Sequence, residues 1–239
     1  MSSPESSRPN ARLFRRAPLT TLAGLCYLAV IAGGLFAEGA VRRALVVPGD
    51  VAATASAILE HETLWRLGLA AHLLYLVPAL AVNVLVSGFF RSTEPTLARL
   101  ALVFGVAAVT IEAVSLVHIY VPLALLEDGG AALAALEDAP ALIYLATRLF
   151  AAGFGFSLFL FAGFCVLIGV LILRTRRLPA WIGALMAVAG ACYVVNTLAL
   201  VVSPDFYAWI NPAVLLPIVV AELSLALWLL VKGVAVEAE

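Results

Sequence analysis

Charge is scarce in this chain. Only 12% of its 239 residues are Asp, Glu, Lys or Arg, and lysine occurs once, at Lys232. A soluble domain is nearer a quarter charged, so a solvated globule with a polar coat is excluded. The arginines sit at segment ends and form no basic face interleaved with aromatics, which argues against a nucleic-acid partner. Cysteine is also rare. Cys26, Cys165 and Cys192 all lie in apolar segments, with no Cys-x-x-Cys spacing and no place in a loop. A disulfide-stapled domain and a thiolate metal site are therefore not expected, and the three read as small packing residues. Glycine-rich phosphate cradles are missing too, since "GFGFS" (153–157) falls within an apolar run and opens no strand–helix turn. Ser115 shares a helical face with Glu112, but no histidine follows at a spacing that would activate it as a nucleophile.

What is abundant is apolar side chain: 64% of residues, with a mean hydropathy of +1.10. One interior cannot hide that much, so much of it faces lipid. Six stretches reach the roughly twenty residues a spanning helix needs: 19–39, 63–90, 97–122, 140–173, 179–202 and 210–231. The breaks "RSTEP" (91–95), "RTRRLP" (174–179) and "SPDF" (203–206) carry proline as punctuation. Two-residue alternation is lacking, so strands are not expected. The fold class is all-α, a polytopic membrane bundle of six transmembrane helices. Residues 1–18 form a polar tail, 19–232 the bundle and 233–239 a second short tail. The run from Thr20 to Ala37 exceeds a signal-peptide core and reads as a retained signal anchor. Arg8, Arg12, Arg15, Arg16, Arg91, Arg99, Arg174, Arg176, Arg177 and Lys232 fall on one side, while Glu127, Asp128, Glu137, Asp138 and Asp205 fall on the other. By the positive-inside rule both termini are cytoplasmic. Alanine, valine, leucine and arginine dominate, as in a GC-rich genome, and the expected location is a bacterial plasma (inner) membrane.

The first external connection, 40–62, has a pattern of its own. Pro48-Gly49 makes a turn and Asp50 is placed to cap a helix. Val51, Ala55, Ile58 and Leu59 then share one face. A short outer-surface helix near 50–61 follows, packed on the bundle or folded over its mouth. In the fifth span Gly183, Ala187 and Gly190 form a face that lets helices approach closely.

Polar side chains inside spans are costly and point to function. Counting about 1.5 Å per residue from the arginine side puts Glu222 roughly 15 Å deep, Glu112 roughly 20 Å, and His72 and His118 both near 28 Å. Asn196 comes out at a similar height and Glu38 at the outer boundary. The two glutamates are too deep for their carboxylates to reach water. They read as the floor of an outward-facing cavity lined by His72, His118, Asn196 and Arg148, with Tyr144 one turn before Arg148. A carboxylate in a dry setting exchanges its proton near neutrality, which suits proton-coupled transport. The structural alternative is a fixed ion pair of Glu112 with Arg148. A metal held by His72, His118 and Glu38 is a weaker reading. Glu112 and His118 lie about 240° apart round their helix and cannot both face one ion, and no His-Glu-x-x-His spacing occurs. No cofactor is expected. Finally, Glu112 and Glu222 stand in the third and sixth spans and Asn83 and Asn196 in the second and fifth, a pattern that an inverted three-plus-three repeat would produce.

The segments "LAGLCYLAVIAGGLFAE" (22–38), "VPGDVAATASAIL" (47–59), "RLGLAAHLLYLV" (66–77), "IEAV" (111–114) and "GFSLFLF…IGVLILRTRRLPAWIGALMAVAGACYVV" (155–195) resemble bacterial membrane proteins grouped as a domain of unknown function, catalogue number four-three-eight-six. The most specific part is the arginine–Leu-Pro–Trp-x-Gly lead into the fifth span. The resemblance implies a multi-helix inner-membrane protein and assigns no activity. Members often carry a polar residue in the fourth span where Ala152 stands here, which tells against a shared metal site on that helix. Glu112, in the "IEA" match, is the residue the resemblance carries over.

Three functional readings follow. The first is binding or proton-coupled transport of a small molecule, lipid or ion, with the lipid bilayer as the surrounding partner. The second is an intramembrane metal- or haem-dependent enzyme, and the third is a non-catalytic accessory subunit.

Overall fold

The computed structural model describes residues 13–15 and 17–236. Helix α1 (Pro18–Gly34) continues through a π-helical stretch, Leu35–Arg42, and ends in one α-helical turn, α2 (Arg43–Leu45). Then come α3 (Val51–Glu60), α4 (Glu62–Gly88), α5 (Pro95–Ala135), α6 (Ala139–Thr175), α7 (Ala180–Val202) and α8 (Pro204–Val231). Six helices are long and apolar enough to cross a membrane: Pro18–Leu45, Glu62–Gly88, Pro95–Glu127, Ala139–Thr175, Ala180–Val202 and Ala213–Val231. The all-α, six-span expectation holds. Large apolar side chains such as Leu74, Val77 and Val202 are at least 70% exposed on the outer surface of these helices. That is the reverse of a water-soluble bundle and fits a lipid surround.

Each long helix packs on the next in sequence, and α8 returns to α1, so α1, α4, α5, α6, α7 and α8 form a closed ring. This order overturns the inverted-repeat expectation. A half-turn about an axis in the membrane plane reverses the sense in which three helices run round a ring. Spans one to three and four to six run in the same sense, so they cannot be so related. The recurrence of Glu112 and Glu222 has a plainer origin: α5 and α8 stand on opposite sides of the ring.

Small residues set the helix spacing, because lipid offers no hydrophobic drive between helices and close contact must supply it. A Cβ on Gly169 would lie 2.7 Å from the Gly183 carbonyl oxygen, and one on Gly190 would lie 2.8 Å from the Ala162 oxygen. The face expected from Gly183, Ala187 and Gly190 is thus the α6–α7 contact. Hydroxyl and indole donors add bonds between neighbours: Ser157 Oγ to the Ala108 oxygen at 2.9 Å, Thr197 Oγ1 to the Gly155 oxygen at 3.0 Å and Trp65 Nε1 to the Ile119 oxygen at 2.9 Å.

At the arginine-rich end, Arg177 ties three segments together. Its guanidinium donates to the Phe89 carbonyl at 2.8 Å and to Ser92 Oγ at 2.9 Å, while its own carbonyl accepts from Ala235 N at 2.8 Å. Just beyond, β1 (Leu13–Arg15) and β2 (Val234–Val236) pair antiparallel, so the two ends of the described chain meet on this side.

At the opposite end the short helix α3 forms as expected. Asp50 Oδ1 accepts from Ala53 N at 2.9 Å, and Gly49 turns with φ +82°. Its buried face is Thr54, Ala55 and Ile58, and Val51, expected inside, is exposed. Thr54 explains the rotation: its hydroxyl bonds both the N–H and the carbonyl of Val47, at 3.0 and 3.1 Å. The helix packs on α6, where Ile58 joins Val41, Trp65, Leu123 and Phe150 in a second core.

Candidate functional site

Within the ring, between a core that includes Phe164, Ile168 and Leu229 and the second core beside α3, lies a chamber of about 300 Å³. Every spanning helix contributes to its wall, which is largely apolar, with Val30, Ile31, Val82, Leu158, Leu215 and Ile218 among its residues. Two deep acids face it, Glu112 from α5 and Glu222 from α8. Each is held by a tyrosine from the preceding helix. Tyr193 donates its hydroxyl to Glu222 Oε1 at 2.6 Å, and Tyr75 donates to Glu112 Oε1.

Behind Tyr75 a polar chain leads away from the chamber. His72 Nδ1 lies 2.8 Å from the Tyr75 hydroxyl and 3.5 Å from Glu112 Oε1. Its Nε2 stands 3.3 Å from Glu38 Oε1, an ion-pair distance without hydrogen-bond alignment. Arg42 Nε donates to the other Glu38 oxygen at 2.6 Å. Because Tyr75 gives its proton to Glu112, His72 serves Tyr75 as a donor through Nδ1. A neutral ring has one N–H and would leave Nε2 as an acceptor facing Glu38, whereas the imidazolium serves both acids. The ring is fixed by Phe150 and Phe154, whose centroids lie 5.3 and 6.2 Å from its own. The π-helical stretch carries Glu38 and Arg42 into this arrangement. Such irregular turns recur at functional sites because they re-aim side chains.

Other chamber groups lack partners. Tyr27 and Asn83 are each 1% exposed and line the cavity, yet the Tyr27 hydroxyl and both polar atoms of the Asn83 amide make no hydrogen bond. Buried polar groups are usually satisfied by protein or ordered water, and these three atoms are exceptions among the described residues.

The residues singled out from sequence divide sharply. Glu112 and Glu222 line the chamber, and His72 sits behind its wall against both Glu38 and Glu112. Asn196 lies near the mouth: Asn211 Nδ2 donates to its Oδ1 at 3.1 Å, and Asn211 Oδ1 accepts from Arg43 at 3.4 Å. Arg148 is exposed, and Glu112 takes Tyr75 and His72 as partners in its place, so the Glu112–Arg148 pair does not form. Arg148 lies on the exposed face of α6, while Thr147 and Phe150 beside it are buried. Tyr144 holds the turn before α3, accepting from Gly49 N at 3.0 Å. His118 is half-buried with Nδ1 3.1 Å from the Ser115 carbonyl, away from His72. The grouping of His72, His118 and Glu38 therefore fails, and among the described residues no three of the His, Cys, Asp and Glu types are placed to hold a metal ion.

Sequence reasoning missed Tyr75, Tyr193 and Tyr27. In hydropathy a tyrosine reads as apolar filler. The usable signal was spacing: Tyr75 follows His72 by three residues, and Tyr193 precedes Asn196 by three, each pair on one helical face.

No curated protein and no solved structure matches the chain. A family model does match, over residues 22–233, and it covers all six spanning helices and the chamber. This multi-pass membrane protein thus belongs to the family described as Domain of unknown function (DUF4386).

Proposed function

We propose that the protein binds a small molecule in the central chamber and couples its binding or passage to proton movement. The observation that supports this best is the pairing of two buried acids, from opposite sides of the ring, on one cavity that also presents unpartnered Tyr27 and Asn83. A purely structural bundle would close over its polar groups, since each unsatisfied group is expensive in a dry interior. Chamber volumes near 300 Å³ are the lower end of ordinary ligand sites.

The chain Glu38–His72–Tyr75–Glu112 supplies the proton route. Its outer member is partly exposed, its inner member faces the chamber, and every link is a group that accepts and releases protons or relays them through a hydroxyl. In this reading the arginine-rich end is cytoplasmic, the membrane is a bacterial plasma membrane, and the chamber faces outward.

The test is to extract and identify small molecules held by the purified protein in lipid nanodiscs, alongside the Glu112→Gln/Glu222→Gln double variant and empty discs. A species enriched in wild type and lost in the variant is expected. Equal content in all three samples contradicts the reading.

A further inference from the structure

We propose that the chamber takes a hydrophobic amine, its protonated nitrogen seated at Glu222, and admits it sideways from the lipid between α1 and α8. This rests on the chamber being a ligand site and names the chemical class and the route.

The charge of the wall selects the class. Glu112 already shares His72 with Glu38, but among the described residues Glu222 has only the Tyr193 hydroxyl. The one basic side chain among the described lining residues is Arg43, an exposed residue at the mouth. Deep in the cavity a carboxylate ligand would meet acids, whereas an ammonium group meets Glu222 together with Tyr27, Phe161 and Tyr193, aromatic residues of the kind that attract cations. The unpartnered Tyr27 hydroxyl adds an acceptor for an N–H donor. At about 30 Å³ per water-sized group, 300 Å³ holds roughly ten non-hydrogen atoms, the size of a short alkyl amine.

The route follows from how α1 and α8 part. On the arginine side they touch backbone to backbone, and a Cβ on Gly24 would lie 2.8 Å from the Ala226 oxygen. Further out, Gly34 and Gly39 line the chamber yet face nothing within 4 Å. Leu35 both lines the chamber and is 57% exposed, so the wall there is also the outer surface. Leu216 and Val220 are exposed on the facing part of α8. At this level α1 has its π-helical stretch, and α8 has Pro217, which cannot donate a helix hydrogen bond.

The experiment uses three probes with one eight-carbon chain: n-octylamine, octan-1-ol and octanoate. Each is titrated by calorimetry into protein-bearing nanodiscs against empty discs. Octylamine is expected to bind saturably, about tenfold or more tighter than octanoate, and Glu222→Gln is expected to weaken octylamine about tenfold while leaving octanol unchanged. Gly34→Trp, placed where a side chain has open space, is expected to slow octylamine association about tenfold with an unaltered melting temperature. Equal binding of all three probes, unaffected by Glu222→Gln, overturns the amine class and leaves the ligand chamber standing. No saturable binding of any probe overturns the proposal, and the co-extraction result then decides the chamber separately. An unchanged association rate in Gly34→Trp overturns the sideways route.

Discussion

Tyr193 donates to Glu222 at 2.6 Å from α7 to α8, and Tyr75 makes the corresponding bond to Glu112 from α4 to α5, on the opposite side of the ring. In both cases the tyrosine precedes the acid by one long helix, so neighbouring helices in the ring carry donor and acceptor. The two bonds hold the acids without neutralising them by a fixed arginine. At Glu222 that differs from a buried ion pair, in which removing one partner strands the other, whereas Glu112 also has His72 at 3.5 Å.

Tyr193→Phe should therefore destabilise the protein by about 1–3 kcal/mol, because Glu222 stays buried and loses its donor. Glu222→Gln should shift stability by less than about 1 kcal/mol, since the amide oxygen still accepts from Tyr193. Thermal melting in detergent orders the two variants. A Glu222→Gln protein less stable than Tyr193→Phe would contradict the assigned bond.

His72 is 1% exposed and lies between two acids. His72→Ala should cost about 3 kcal/mol or more, by leaving Glu38 and Glu112 facing each other and by opening space beside Phe150. Arg148→Ala, at an exposed site, should change stability by no more than about 0.5 kcal/mol. A reversed order would restore Arg148 as the partner of Glu112.

Glycines on the two sides of α1 should respond oppositely. Gly24→Ala drives a methyl into the α8 backbone and should cost about 1–3 kcal/mol. Gly34→Ala meets nothing and should stabilise by about 0.5–1 kcal/mol through helix propensity. Equal losses at both positions would mean that α1 and α8 are closed along their whole length.

Asp50→Ala should cost about 1 kcal/mol by removing the α3 cap. The loss should be local, visible as faster amide hydrogen exchange across 51–56. Unchanged exchange there would contradict the Asp50–Ala53 bond.

The six spans and α3 were legible because length, apolar runs and proline breaks are local signals. The Asp50 cap was legible for the same reason. Depth counting set Glu112 and Glu222 inside the spans, and both line the chamber. It failed for pairing. Equal height brought His72 and His118 together on paper, but His72 lies against Glu38 and Glu112 while His118 bonds the Ser115 carbonyl, and one sequence does not show which way a helix faces. Arg148 misled for a related reason: it lies on the exposed face of α6, while Thr147 and Phe150 beside it are buried. Glu38 was placed at the outer boundary as a lesser metal candidate. The π-helical stretch turns it inward onto His72, and no residue pattern in "LFAEGAVR" announced that change of pitch.

The most direct test of a shared acid chamber reachable from lipid is chemical labelling. Dicyclohexylcarbodiimide, a lipid-soluble reagent, converts an accessible carboxyl group into a stable N-acylurea that peptide mass spectrometry locates. Modification at Glu222 and Glu112, slower in Gly34→Trp, is the expected result. Failure to modify either glutamate, in folded protein whose surface carboxylates do react, would contradict it.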